Sequence, residues 1–275
     1  MSVSDAPAAV EAELNYLVNT GKRPLAFAFE PPAGVPRYSG VPDPRRATIR
    51  NARLPEYAGE LTLDVAGFQL VQHRSAVTDF TDEERLRAVY YREAEDLIRE
   101  VTGAVKVVIF DHTLRDSTPD HGRAGVREPA RRVHDDQTFN SGPRRVREHL
   151  PREEADARLE RRFAIINFWR PIDHPVERAP LALCDARSIA PEDLLGADLV
   201  YPDKVGETYA FVYNPRHRWF YFRLQRPDEV LLLKIYDSLT DGTARLTAHT
   251  SFEDPSFGPE ARHRRSIELR TLVFW

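Results

Sequence analysis

Thr208-Tyr-Ala-Phe-Val-Tyr213, Trp219-Phe-Tyr-Phe-Arg-Leu224 and Val230-Leu-Leu-Leu-Lys-Ile-Tyr236 follow one another with only short gaps. Each is a run of aromatic and aliphatic residues that reads as a strand rather than a helix. Asn214-Pro215 separates the first two as a turn signal. The same grammar extends outward in both directions. Phe163 to Trp169 and Leu181 to Asp185 precede these runs; Leu246 to Thr250 and Ile267 to Trp275 follow them, with Pro171 and Asp241-Gly242 among the breaks. Upstream, Val105 to Phe110 reads as a buried strand ending at Asp111-His112, and Val133 to Phe139 as another. Many short strands at regular spacing argue a sandwich or barrel, not a doubly wound parallel sheet.

The helices gather earlier in the chain. Thr81 and Glu84 form a capping-box pattern. Leu86, Val89, Tyr90, Ala94, Leu97, Ile98 and Val101 then recur at helical spacing, and Gly103 is a suitable stop. Pro151 opens a charged helix to Arg161. Leu61 to Val71 reads as strand-like, after 60 proline-rich residues of short apolar pieces and turns. The expected fold class is mainly β with flanking helices, a cupin-like jelly roll. One domain is expected over 1–275: N-terminal strands and a packing helix in 1–104, the jelly-roll core in 105–275. Residues 114–132 are polar, with glycine and proline, and read as a lid-like loop.

Composition limits the functions. The net charge of −4 gives no field to attract nucleic acid, and no run of about 18 apolar residues exists to span a membrane. Met1 to Leu14 carries Asp5, Glu11 and Glu13 and no apolar core, so it is not a secretory signal. Cys184 is the single cysteine, which excludes an intrachain disulfide. A cytoplasmic protein with a small-molecule partner is expected, with a homo-oligomer left open.

His134-Asp135-Asp136 and His249 carry the chemistry. Residues i and i+2 of a strand share a face, so His134 and Asp136 can reach one metal ion, and His249 arrives from a distant strand. Two imidazoles and a carboxylate on one face are the ligand set of non-haem Fe(II), with positions left for a keto acid and dioxygen. With nine histidines and 43 acidic residues the triplet alone carries little weight; its place after a lid-like loop and before a late histidine supplies the force. Arg264-Arg265-Ser266 lies just beyond His249. A guanidinium there would hold the far carboxylate of 2-oxoglutarate bidentately, with Ser266 facing the same way. Arg270 shares that face and competes as the anchor. Tyr221 could donate a hydrogen bond to the bound acid, although aromatic alternation is most often core. Asn167 and Trp169 share a face that would line the barrel. They are candidate substrate or cosubstrate contacts, as are Arg170, for a substrate carboxylate, and His112. Cys184 is expected to be buried and inert.

The stretches Asn167-Phe-Trp-Arg-Pro171, Pro180-Leu-Ala-Leu-Cys-Asp185, Tyr236-Asp-Ser238, His249-Thr-Ser-Phe-Glu-Asp-Pro255 and Arg265-Ser-Ile-Glu-Leu-Arg270 resemble a family of non-haem iron oxygenases. Its members include proteins of the cephamycin methoxylation system and fungal secondary-metabolite hydroxylases and desaturases. Tyr90-Tyr91, Thr102-Gly-Ala104 and Phe110-Asp-His112 join the resemblance, which covers most of the chain. It implies a double-stranded β-helix, Fe(II), 2-oxoglutarate, dioxygen and a small-molecule substrate, with His134, Asp136 and His249 as ligands. The separation of His249 from Arg264 is longer than the family leads one to expect, which keeps Arg270 in contention. Two other functions stay open: a non-catalytic small-molecule-binding partner of another biosynthetic enzyme, and a cupin-type hydrolase or isomerase with zinc or manganese.

Overall fold

The structure is a computed structural model describing residues 7–275 apart from 120, 121, 123 and 124. Its strands in chain order are β1 (Ala9–Leu17), β2 (Leu25–Phe27), β3 (Pro42–Asn51), β4 (Phe68–Gln72), β5 (Lys106–Asp116), β6 (His134–Asp135), β7 (Phe163–Ile172), β8 (Leu181–Cys184), β9 (Leu194–Val200), β10 (Val205–Phe211), β11 (Trp219–Tyr221), β12 (Glu229–Asp237), β13 (His249–Ser251) and β14 (Arg265–Phe274). They form a nine-stranded sheet, β1-β3-β11-β8-β13-β6-β10-β9-β2, and a five-stranded sheet, β4-β12-β7-β14-β5. The fold is a jelly roll, as the strand pattern leads one to expect.

Residue parity on the five-stranded sheet decides what lies between the sheets. On β7, Phe163, Ile165 and Trp169 join Leu183 and Phe220 of the other sheet in an inner core, while Ala164, Ile166 and Phe168 face outward. On β14, Leu272 and Phe274 face in; Ile267, Leu269 and Val273 face out. The outward face is covered by α1 (Glu83–Arg85), a π-helical turn over Leu86–Tyr90, and α2 (Tyr91–Thr102), which bury Leu86, Tyr90, Ala94, Leu97 and Ile98 against it. Both faces of this sheet are therefore buried, and the near-continuous apolar runs of β7 and β12 follow from that.

Several boundaries differ from those read in the sequence. The helix cap is Asp82, whose side chain accepts from the Arg85 amide at 3.0 Å, because Thr81 is held instead by Asp79. Gly103 does end the helix, at φ +71°. Leu61 to Val71 is strand only from Phe68. Val133 to Phe139 contributes strand only at His134–Asp135, since α3 (Ser141–His149) begins soon after. The Pro151 helix is α4 (Arg152–Leu159), with Pro151 as its N-cap. β1 and β3 emerge from the proline-rich region; the alternating burial of Val10, Ala12, Leu14 and Tyr16 is a period-two signal that the punctuation obscures. Of the segment 114–132, residues up to Asp116 belong to β5, Arg127 bridges Arg115 and Arg132 bridges Asn15; residues 120, 121, 123 and 124 lie outside the described chain.

β5 does not end at Asp111-His112. It continues through a bulge: Ile109 stands opposite Thr271 and Asp111 opposite Arg270, so Phe110 is the extra residue. A bulge switches which residues face in. Val108 and Phe110 pack toward the inner core, and beyond the bulge Asp111 and Thr113 face inward, both hydrogen-bonded by Arg270.

Candidate active site

β6 and β13 are adjacent, and His134 and His249 stand directly opposite each other across the pair. Their ring centroids are 4.3 Å apart. Asp136 follows β6, and its Oδ1 lies 3.7 Å from His134 Nε2. One ligand atom from each of the three residues falls within 4.8 Å of the others. Each histidine is oriented by a backbone carbonyl: His134 Nδ1 donates to the Arg132 carbonyl at 2.7 Å, and His249 Nδ1 to that of Thr247 at 3.2 Å. This fixes the tautomer that leaves both Nε2 atoms free to ligate. Burial, reinforced by the neighbouring His249, pushes the His134 imidazole down to a pKa of about 3, so it is a neutral donor. Asp136 Oδ2 accepts from Asn167 Nδ2 at 2.9 Å and Arg270 Nε at 3.1 Å, leaving Oδ1 toward the histidines. Burial opposes ionisation of Asp136, but Arg270 and the two imidazoles hold its pKa well below the carboxylate range.

The inward face of β7 and β14 supports this cluster. Asn167 Nδ2 also donates to Glu268 Oε1 at 3.1 Å. Arg270 is saturated: besides Asp136 it pairs with Asp111 at 2.9 Å and Glu268 at 3.0 Å. Burial would lower its pKa, yet these carboxylates raise it above the ordinary value.

Arg264 is the opposite case. It is 2% exposed, donates to the Ala179 carbonyl, and lies over the Trp169 ring at 5.3 Å. Its Nε has no partner, and it takes part in no ion pair among the described residues. Burial, with Arg115 nearby, pushes its pKa down to about 9. Arg264 lines a small cavity of ≈ 20 Å³ whose wall includes His134, His249, Trp169, Ser251 and Arg115. Ser266 is wholly buried, and its Oγ makes no hydrogen bond. An unpaired buried guanidinium beside a metal-binding triad fits the distal carboxylate of 2-oxoglutarate.

Three candidates are not brought to the site. Arg170 is on the outward face of β7, its guanidinium on the His73 ring nitrogen at 2.5 Å and over Tyr90 at 5.3 Å; strand parity separates it from Asn167 and Trp169. His112 is turned outward by the Phe110 bulge, to Tyr91 at 2.7 Å and Glu83 at 3.2 Å. Tyr221 packs edge-on to Phe252 with Trp219, in a cluster separate from the one that holds Phe220 and Leu183. Asn167 is completely buried and holds Asp136 rather than lining a cavity. Glu268 is an inward residue that sequence reasoning did not place, though it would have followed from sharing a face with Arg264, Ser266 and Arg270; Arg115, which with Arg170 hints in the sequence at an acidic substrate, is turned inward by the bulge that hides its parity.

A family model described as Oxidoreductase/YMDC permease-like domain matches residues 14–274. No helix among the described residues is long and apolar enough to cross a membrane. The chain is 38% identical to the hydroxylase/desaturase efuI of Hormonema carpetanum, over 79% of this chain and 80% of the relative. It is 37% identical to the hydroxylase/desaturase CTB9 of Cercospora beticola, over 84% and 76%. It is 36% identical to the Fe(II)/2-oxoglutarate-dependent dioxygenase nvfI of Aspergillus novofumigatus, over 67% of this chain and 66% of the relative. The chain belongs to the non-haem Fe(II)/2-oxoglutarate oxygenases. Solved structures of the iron and alpha-ketoglutarate-dependent endoperoxidase NvfI superpose with TM-scores of 0.88 and 0.84 at 28% identity, covering 98% of this chain and 99% of theirs. The oxygenase therefore uses Fe(II), 2-oxoglutarate and dioxygen.

Proposed function

We propose that this oxygenase hydroxylates or desaturates a small molecule of secondary metabolism, with His134, Asp136 and His249 as the iron ligands and Arg264, with Ser266, as the 2-oxoglutarate anchor. The observation that carries it is the pairing of an intact His-Asp-His cluster with a buried arginine, in no ion pair among the described residues and with its Nε free, in the adjoining cavity. With iron and 2-oxoglutarate bound, dioxygen would be the oxidant that removes hydrogen from carbon, one of its oxygen atoms passing into succinate as 2-oxoglutarate loses carbon dioxide. This chain's residues orient and enclose that chemistry. The carbonyls of Arg132 and Thr247 fix the imidazoles. Asn167 and Arg270 hold one oxygen of Asp136 and leave the other to the metal. Trp169 forms a dry wall against the cosubstrate cavity. Arg270, with its carboxylate partners filled, orients Asp136 and does not anchor the cosubstrate. The buried free thiol of Cys184, pushed up to about 12 by burial, suits a cytoplasmic setting.

Anaerobic titration with Fe(II) and 2-oxoglutarate tests the site. The wild type should develop a weak visible charge-transfer band and turn 2-oxoglutarate over to succinate in air. His134→Ala and Asp136→Ala should lose both signals. Substantial turnover by both variants with iron still bound would sink the ligand assignment.

A further inference from the structure

Beside the iron cluster lies a second, much larger cavity of ≈ 990 Å³, and its charge is unbalanced. That volume is at the upper end of small-molecule sites and has room for several fused rings. Phe27, Tyr38, Phe110, Tyr201 and Tyr209 supply aromatic wall. Most of the carboxylates in the wall are spoken for: Asp111 and Asp136 by Arg270, Asp198 by Arg23, and Glu207 by Arg144. Among the cations, Arg131, Arg145 and Arg270 are paired too, with Glu253, Glu148 and the carboxylates named above, but others are not. Arg37, Arg127, Arg132 and Lys204, all exposed at the cavity's edge, have no ion-pair partner among the described residues; Arg132 instead lies on Tyr38 at 3.5 Å and Lys204 over Tyr201 at 5.6 Å. Glu128 is the one wall carboxylate left to oppose them among the described residues.

At the inner end stands Arg115. It lines both the large cavity and the small cosubstrate cavity, as do Ala130 and His134, so it marks their boundary. The Phe110 bulge puts it there by turning the odd-numbered residues of β5 inward. Its side chain is 16% exposed. One nitrogen donates to the Glu128 carbonyl at 2.8 Å. Its nearest carboxylate is Glu268, 3.9 Å away, and Glu268 is already engaged by Arg270 and Asn167. A buried guanidinium with so weak a partner still favours an anion.

Building on the oxygenase function above, we propose that the substrate is a ring-bearing carboxylate whose carboxyl group is held by Arg115 at the inner end of the large cavity. The edge cations draw it in, the aromatic walls take its rings, and the shared wall with His134 places the carbons next to the carboxyl at the metal.

The test uses 2-naphthoate and its neutral isostere 2-naphthamide as probes, on protein held anaerobically with Fe(II) and saturating 2-oxoglutarate, read by calorimetry and by perturbation of the charge-transfer band. The wild type should bind naphthoate about tenfold or more tighter than naphthamide, and salt should weaken naphthoate binding alone. Arg115→Gln, held at 2-oxoglutarate that saturates the variant, should bind the two probes within about threefold of each other. The proposal is overturned if the wild type shows no preference or no naphthoate binding, or if Arg115→Gln keeps the preference. Should Arg115→Gln fail to form the band, the wild-type preference and its salt dependence decide. Absence of the band in the wild type would strike the oxygenase site itself, whereas a band without probe preference strikes only the substrate class.

Discussion

Two arginines six residues apart, Arg270 on the inward face of β14 and Arg264 immediately before that strand, occupy opposite electrostatic worlds. Arg270 sits among Asp136, Asp111 and Glu268 and donates to all three. Arg264 is as deeply buried, yet it meets one backbone carbonyl and the face of Trp169, and its Nε is left empty. An ion-paired buried arginine belongs to the frame, because its removal strands the charges around it. A buried arginine in no ion pair, its charge offset only at a distance by Glu268, is costly to keep, and such a residue points to an anion that comes and goes. On the function proposed above, the contrast separates a residue that holds the iron site in shape from one that waits for the cosubstrate.

The largest expected effect comes from breaking the frame. Arg270→Met leaves the carboxylates of Glu268, Asp136 and the more exposed Asp111 without their cation and should lower stability by about 3–5 kcal/mol. Iron affinity should fall by roughly 10–100-fold, since Asp136 loses one of the two groups that orient it. Denaturant unfolding and Fe(II) titration measure both. A stability change below about 1 kcal/mol would place Arg270 outside the frame.

Arg264→Met should do the reverse. Affinity for 2-oxoglutarate should drop roughly 10–150-fold with the loss of charge-assisted hydrogen bonds. Stability without cosubstrate should rise by about 1 kcal/mol or more, because an apolar side chain replaces an uncompensated charge. Iron affinity should hold. If Arg264→Met destabilises the protein as much as Arg270→Met, the two residues are doing the same structural job.

How far these roles could be read without coordinates differs by residue. His134 and Asp136 were legible because i and i+2 share a face wherever the backbone is extended, and that held although β6 is only two residues long and Asp136 lies just past it. The jelly roll was legible from strand spacing in 163–275. Arg264 against Arg270 was not, since the two share parity and differ only in which carboxylates surround them, and those come from β5 and the segment after β6. The Phe110 bulge was not legible either. A regular β5 would have sent His112 inward and Arg115 outward, and one unpaired residue reverses both. Arg170 misled because a buried arginine can also be held by a histidine and aromatic faces, its Nε left without a partner, and its even number on β7 puts it beneath the helix, away from the triad.

Asn167 sharpens the frame on a smaller scale. It gives Asp136 one hydrogen bond and Glu268 another. Asn167→Ala should weaken iron binding by about tenfold and leave the 2-oxoglutarate affinity of the iron-loaded enzyme nearly unchanged. A larger effect on 2-oxoglutarate than on iron would move Asn167 from the frame into the cosubstrate cavity.

The smallest effect is one of pH, and its sign follows from burial. Burial lowers the Arg264 pKa from the ordinary guanidinium value to about 9. A depressed cation destabilises the fold wherever it stays protonated, so the penalty is fully present below pH 9. Above that, the folded protein sheds the proton while the unfolded chain keeps it, and stability recovers as pH rises. The stability advantage of Arg264→Met over wild type should therefore be flat between roughly pH 6 and 8 and narrow above about 9. Saturating 2-oxoglutarate should close the same gap at neutral pH, because a bound carboxylate supplies the missing counter-charge to the wild type alone. Paired thermal melts of the two proteins, with and without 2-oxoglutarate, read both changes. A gap that 2-oxoglutarate does not narrow would mean that the anion sits elsewhere, and would return Arg264 to the frame beside Arg270.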